Sequence, residues 1–199
     1  PRELRQMRTG DVDILLVPGW GNSGPDHWQS RWERSLRTAS RIEQADWSRP
    51  DRITWTARIR AAIADAKRPV VLVGHSLGVA AIVHAAARLP AGLVAGAFLV
   101  GPADTEAIAD WPAPDEASEW PAGIAGFAPM PMHTLPFSTR LIASSNDPFC
   151  GIARAQAFAA AWGGDLSIIA NAGHINATSG HGPWPDGLLT FGLFLRGLG

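Results

Sequence analysis

The sequence of 199 residues contains no tyrosine and a single cysteine, Cys150. One cysteine cannot form a disulfide within the chain, which favours a reducing compartment and predicts a cytoplasmic protein. No apolar run approaches the roughly 20 residues that a membrane-spanning helix needs, so no membrane partner is expected. The formal net charge of -1 gives no electrostatic reason to expect a nucleic-acid partner.

Other signals are missing as well. The opening segment PRELRQMRTGDVD is charged and has no apolar stretch, so we expect no secretory signal there. No H-E-x-x-H motif or paired cysteines occur, and no metal or other cofactor is expected. The composition, 46% hydrophobic and 18% charged, is typical of a folded globular chain. Its length predicts one domain over residues 1–199, and the pattern gives no indication of the oligomeric state.

Short apolar runs alternate with segments of helical periodicity, which predicts βα units around a mostly parallel sheet covered by helices on both faces. We expect strands at Asp13–Val17, Arg41–Ala45, Val70–Val73, Leu93–Val100, Arg140–Ser144 and Leu166–Ala170. We expect helices from Asp26, with Asp26 as its N-cap, from Asp51, at Leu77–Leu89, at Ile152–Trp162 and near Asp186–Leu195. Seven prolines between residues 101 and 138 rule out a long helix there and predict an irregular insertion.

The chemistry begins at Gly74-His75-Ser76-Leu77-Gly78, which follows the buried strand at Val70–Val73 and precedes an Ala-rich helix. This G-x-S-x-G pattern between strand and helix is typical of a nucleophile elbow, which exposes a serine hydroxyl above a sheet. The alternative is a glycine-rich turn with an incidental serine. Because a serine hydroxyl is a weak nucleophile, the hypothesis requires a histidine base and an acid further along the chain.

Two later strand ends supply candidates for these partners. Asp147 follows the strand at Arg140–Ser144, although it also fits an Asx turn before Pro148, and Asp104 is a rival acid. His174 follows the last predicted strand, with His181 as the runner-up. The order Ser76, Asp147, His174 is the order of a hydrolase triad. Cys150 is a less favoured nucleophile because no base accompanies it.

The loop VPGWGNSG after the first strand allows two interpretations. Gly19, Gly21 and Gly24 have the G-x-G-x-x-G spacing of a dinucleotide-binding turn, which favours a nicotinamide or flavin enzyme. In a hydrolase the same loop passes in front of the serine, and the backbone N–H groups of Trp20 and Leu77 would hold an oxyanion. The elbow at Ser76 favours the second interpretation, which needs no cofactor.

Five motifs in order resemble a known family. They are VPGWGNSGPDHW (17–28), VGHSLG (73–78), LPFST (135–139), SSNDPFC (144–150) and AGHINATSGHGPWPDG (172–187). The chain resembles the small α/β-hydrolases that include retinoblastoma-binding protein nine and the bacterial YdeN-like serine hydrolases. The resemblance implies a reduced three-layer α/β-hydrolase fold and a catalytic triad of Ser76, Asp147 and His174.

The function predicted from the sequence is hydrolysis of a small ester, thioester or amide through an acyl-enzyme. The partner is then a small acyl substrate. Trp20, Phe127, Met130 and Trp184 are the candidates for the walls of its pocket. The alternative is a non-catalytic interaction module on a hydrolase scaffold, because a fold alone does not imply an activity.

Overall fold

A computed structural model describes residues 6–114 and 119–198. The remaining parts of the opening segment, of the proline-rich insertion and of the C-terminus lie outside the described residues. The strands are β1 (Asp13–Val17), β2 (Ala39–Arg41), β3 (Val70–Ser76), β4 (Val94–Pro102), β5 (Ser138–Ser144) and β6 (Asp165–Ile169). The helices are α1 (Trp28–Ser35), α2 (Arg52–Asp65), α3 (Leu77–Ala86), α4 (Ile152–Trp162) and α5 (Pro185–Arg196). None of these helices is long and apolar enough to cross a membrane.

The six strands form one sheet in the order β2-β1-β3-β4-β5-β6, and every neighbouring pair is parallel. Successive side chains of a strand point to opposite faces. In β1, Leu15 and Val17 therefore join the core beneath α2, α3 and α4, while Ile14 and Leu16 join the core beneath α1 and α5. Helices on both faces of a parallel sheet confirm the predicted three-layer architecture.

Two local predictions were wrong. The second strand covers Ala39–Arg41 instead of Arg41–Ala45, because the edge strand pairs with β1 only as far as Arg41. Helix α1 begins at Trp28, and its N-cap is His27, whose Nδ1 accepts a hydrogen bond from the Gln29 N–H at 3.1 Å. The Asp26 carboxylate instead forms an ion pair with Arg31 at 3.3 Å.

The segment between β4 and β5 contains two short 3-10 helices in its described part, Ile108–Asp110 and Ala122–Phe127. Four of its side chains are buried in the core beneath α2 and α3: Ile124, Phe127, Met130 and Leu135. The irregular segment is thus anchored to the sheet's helical cover at several points.

Parallel strands all end at the same edge of the sheet, and ligands of open α/β sheets bind outside that edge. Ser76 is the last residue of β3, and the loops after β1, β5 and β6 carry Trp20, Asp147 and His174 in turn. This topology brings residues that are up to 154 positions apart in the chain (174 minus 20) to one side of the fold.

Candidate active site

Ser76 lies at the sharp turn between β3 and α3. Its backbone has φ 57° and ψ -125°, which non-glycine residues seldom adopt. The turn requires close contact between backbones, because a Cβ added at Gly78 would overlap the carbonyl oxygens of Val17 and Pro18. The strained turn and the packing of α3 against the end of β1 together hold the Ser76 hydroxyl above the sheet edge.

Ser76, His174 and Asp147 form a continuous hydrogen-bonded chain. Ser76 Oγ lies 2.8 Å from His174 Nε2. On the other side of the imidazole, Nδ1 lies 2.9 Å from both carboxylate oxygens of Asp147. Asp147 and His174 are both buried, which shields this contact from water. The structure therefore brings the three predicted residues together, with His174 between Ser76 and Asp147.

Polar groups at the end of β5 and in the loop that follows it bind the loop that carries His174. Ser144 Oγ accepts from the Ala172 N–H at 3.0 Å, and Asn146 Oδ1 accepts from the Gly173 N–H at 2.7 Å. These bonds fix the distance between the acid and the base, whose loops are separate in sequence.

The backbone at His174 is held from two further sides. His75 Nε2 donates to the His174 carbonyl oxygen at 2.8 Å, and Trp28 Nε1 of α1 donates to the Ile175 carbonyl oxygen at 2.9 Å. Ile175 has φ 49°, an unusual value for a β-branched residue. The surrounding contacts hold this strained loop, and with it the His174 ring, in place.

The alternative acid and base lie elsewhere. Asp104 is paired with Arg154 at 3.2 Å, and His181 Nδ1 lies 3.3 Å from Ser179 Oγ. Asp147 does form the predicted Asx-type turn, since its Oδ1 accepts from the Phe149 N–H at 3.0 Å, and it binds His174 at the same time. Asp147 therefore both forms the Asx turn and binds the histidine.

Cys150 is buried, and burial is the main cause that raises the pKa of its thiol to about 12, with the charges of Asp104 and Asp147 adding to the effect. A thiol with this pKa is almost entirely protonated at neutral pH and is a poor nucleophile.

Two residues that line the region in front of Ser76, Leu77 and Trp20, have backbone amides that could bind a ligand. Leu77 is the first residue of α3, so its N–H has no carbonyl one turn earlier in the helix. The Trp20 N–H has no hydrogen-bond acceptor among residues 6–114 and 119–198. Gly19 lies directly against the elbow, since a Cβ added there would come within 2.8 Å of Ser76 Cβ and 3.2 Å of Leu77 N. This glycine therefore packs directly against the serine.

A cavity of about 230 Å³ opens in front of Ser76 and His174. Aromatic rings in edge-to-face contact form one wall. Ring centroids are 5.1 Å apart for Trp20 and Trp120, 5.3 Å for Trp111 and Trp120, and 5.3 Å for Trp111 and Phe149. The Phe149 ring also packs against His174 at 4.4 Å. The described residues that line the cavity include no Asp, Glu, Lys or Arg, so it suits an uncharged group.

The structure places the four candidate wall residues differently. Trp20 lines the cavity, and its Nε1 donates to the Ser48 carbonyl oxygen at 3.0 Å. Phe127 and Met130 are buried in the core on the α2 and α3 side, where Phe127 packs against Trp55. Trp184 is buried on the opposite face, against Trp28 at 5.2 Å. These three side chains form core contacts and do not line the cavity.

The residues of the cavity wall that sequence reasoning missed include His27, Trp111, Trp120 and Phe149. Phe149 lies two positions after Asp147 in the same turn. The prediction of Asp147 as a site residue was therefore a reason to expect Phe149 near the cavity. Trp111 and Trp120 lie in a proline-rich stretch without core periodicity. A large aromatic side chain in such a stretch is a reason to expect a binding surface.

Burial controls the titration of two histidines beside the serine. It lowers the pKa of His27 to about 3, with smaller contributions from the charges of His174 and Arg41. It also holds the pKa of His75 well below its ordinary value. Both rings are neutral at physiological pH. In the described parts of the chain, no three His, Cys, Asp or Glu side chains are grouped so that they could hold a metal ion.

Comparison with known proteins agrees with this fold. The family model described as serine hydrolase matches residues 14–192. A YdeN-like hydrolase from Pectobacterium atrosepticum is 33% identical, with a TM-score of 0.81, over 96% of this chain and 94% of that chain. The esterase domain of a Rhodothermus marinus protein is 18% identical, with a TM-score of 0.69, over 98% of this chain and 90% of that chain, and shows the shared fold. A comparison with curated proteins found no match.

The family match extends over nearly the whole sheet and includes Ser76, Asp147 and His174. The similar structures have the α/β-hydrolase fold that the parallel sheet and its two helical layers indicate. The chain therefore belongs to the serine hydrolase family, and it is an enzyme of the α/β-hydrolase fold.

Proposed function

We propose that this enzyme hydrolyses small uncharged esters through an acyl-enzyme on Ser76. The observation that carries the proposal is the hydrogen-bonded chain from Ser76 Oγ through His174 to Asp147, with contacts of 2.8 and 2.9 Å. Thioesters and amides present the same carbonyl carbon and are further substrates of this chemistry.

In the first half of the reaction, Ser76 Oγ attacks the substrate carbonyl carbon while its proton passes to His174 Nε2. The carbonyl π electrons move to the oxygen, which becomes an oxyanion held by the N–H groups of Trp20 and Leu77. The bond from carbon to the leaving group then breaks, and the leaving group takes the proton from His174. Ser76 is now esterified by the acyl group.

In the second half, a water molecule attacks the acyl carbon and gives a proton to His174. The bond between carbon and Ser76 Oγ breaks, and Oγ recovers the proton from His174 as the carboxylic acid leaves. Asp147 holds the imidazole through Nδ1 and stabilises its positive charge in both halves. No proton or electron pair remains unaccounted for over the cycle.

The cavity supports a small acyl group. Pockets for drug-sized ligands measure about 300–1,000 Å³, whereas the cavity in front of Ser76 measures about 230 Å³. A second, wider groove of about 580 Å³ shares Trp20, Trp120, Phe149 and His174 with it. We place the acyl group against the aromatic wall and the leaving group toward the wider groove.

The test is steady-state hydrolysis of p-nitrophenyl acetate, butyrate and laurate by the wild type and by Ser76→Ala. We expect turnover of the two short esters well above buffer, much slower turnover of laurate, and no enzymatic turnover by the variant. Equal rates for a folded wild type and a folded Ser76→Ala would contradict the proposal. Hydrolysis of laurate that is faster than that of the two short esters would contradict only the assignment of a small acyl pocket.

A further inference from the structure

His27 carries a buried hydrogen-bond donor for which the protein supplies no acceptor. The side chain is 6% exposed, and its Nδ1 accepts from the Gln29 N–H at the start of α1. Because Nδ1 is the acceptor, the proton of the neutral ring is on Nε2. Among the described residues, Nε2 has no hydrogen-bond partner. Buried donors in native proteins are usually satisfied, so this one calls for an explanation.

The His27 ring forms part of the cavity wall together with Gly19, Ser76 and Leu77. Its centroid lies 4.8 Å from that of His75, the residue before the nucleophile. Since Nδ1 already accepts from the Gln29 N–H at the start of α1, Nε2 is the ring nitrogen left to bind a ligand.

Neutrality of His27 suits a site in which His174 becomes positively charged during catalysis. The burial that holds the pKa of His27 at about 3 keeps it uncharged over the pH range in which a histidine base works. A second cation this close would oppose protonation of His174. A neutral N–H, in contrast, stabilises a developing negative charge without that repulsion.

We propose that His27 Nε2–H donates a hydrogen bond to the oxyanion of the tetrahedral intermediate, as a third donor beside the amides of Trp20 and Leu77. The proposal rests on the function proposed for Ser76. Nε2 keeps its proton throughout, so no bond to hydrogen is broken. The unpartnered donor acquires its acceptor only when the carbonyl oxygen of the substrate becomes an anion near Ser76.

The variant His27→Asn tests this role separately from the capping role. An asparagine oxygen is among the best N-cap acceptors, so the variant keeps the cap of α1 and removes the imidazole donor. His27→Ser does the same with a different side chain and replaces it if the first variant does not fold. The matched control is His84→Asn, because His84 Nε2 binds the Phe127 carbonyl oxygen away from the cavity.

Each protein is assayed with p-nitrophenyl acetate, and inhibition by a phenyl-substituted trifluoromethyl ketone, which forms a tetrahedral adduct with serine, is measured in parallel. We expect His27→Asn to lower kcat by roughly 100-fold, with KM changed less than about twofold. The inhibition constant of the ketone rises by a similar factor, and His84→Asn retains the wild-type kcat.

Two results would overturn the proposal. A raised KM at unchanged kcat would show that His27 binds the ground state of the substrate. Unchanged kcat and inhibition constant in a folded variant would show that His27 only caps α1. The Ser76→Ala variant distinguishes these two results from a failure of the function proposed for Ser76. If that variant hydrolyses the ester as fast as the wild type, the serine mechanism fails irrespective of His27.

Discussion

Replacing His27 with asparagine should reduce the acid sensitivity of the fold. The wild-type ring is buried and neutral in the native state, with a pKa of about 3. In the unfolded chain the same ring has a pKa of about 6.5. Between these two pH values the His27 ring binds a proton in the unfolded state but not in the native state. The free energy of unfolding therefore rises with pH in this range and falls as the pH falls.

The size of the effect follows from the difference in pKa. A pH of 5 is about 1.5 units below the pKa of about 6.5 that the ring has in the unfolded chain. Each pH unit below that pKa corresponds to about 1.4 kcal/mol. The native ring remains neutral at pH 5. Protonation of His27 in the unfolded state therefore lowers the free energy of unfolding by about 2 kcal/mol between pH 7 and pH 5. Burial also lowers the pKa of His75, so that ring adds a loss of the same sign.

Urea denaturation of the wild type and of His27→Asn at pH 7 and pH 5 measures this difference. The decrease between the two pH values should be about 2 kcal/mol smaller in the variant, because asparagine does not titrate and His75 is present in both proteins. The comparison uses the change with pH, so a uniform loss of packing in the variant cancels. Equal decreases in the two proteins would refute the assignment of a buried neutral His27.

Three further predictions concern the triad, the elbow and the cysteine. Asp147→Asn should lower kcat by about 10⁴-fold while the melting temperature changes little, as measured by ester hydrolysis and thermal unfolding. Gly78→Ala should destabilise the fold by about 3 kcal/mol in urea, because the new Cβ meets two backbone carbonyls. The control Gly192→Ala, where a Cβ meets open space on α5, should stabilise it by about 0.5–1 kcal/mol. Cys150 should react with a thiol-specific disulfide reagent at pH 8 more than about 100-fold slower in the native protein than in urea, and equal rates would contradict its raised pKa.

The sequence predicts the parallel strands well because their signal is strong and local. Val70–Val73 is a β-branched apolar run of the kind buried on both faces, and β3 contains it. The short edge strand β2 was predicted too far along the chain, because its register with β1 ends at Arg41 and the following Ile42 packs into the core. A strand of this length is determined by the neighbour with which it pairs, which the local sequence does not show.

The cap of α1 depends on a detail that propensities overlook. Aspartate is a common N-cap and histidine is not, so Asp26 was the expected cap. The neutral imidazole of His27 accepts through Nδ1 just as a carboxylate oxygen would. Burial of the ring, a tertiary property, lowers its pKa to about 3 and keeps it available as an acceptor in mild acid as well.

The side chains of the triad were predictable because each follows the end of a strand, and parallel strands end at one edge. Apart from Trp20, the side chains of the cavity wall were not predictable. Phe127 and Met130 lie in an irregular segment, where neither a period of 2 nor one of 3.6 indicates which side chains face inward. Both turned into the core, while Trp111 and Trp120 of the same segment form the aromatic wall.

The central claim is that Ser76 carries an acyl group during turnover, and intact-protein mass spectrometry tests it most directly. The enzyme is mixed with p-nitrophenyl acetate, quenched in acid within the first turnovers and compared with Ser76→Ala treated in the same way. We expect a species heavier than the wild-type chain by one acetyl group, located by peptide mapping on Ser76, and no such species in the variant. Rapid hydrolysis by the wild type with the acetyl group on another residue, or an equally acetylated Ser76→Ala, would contradict the account.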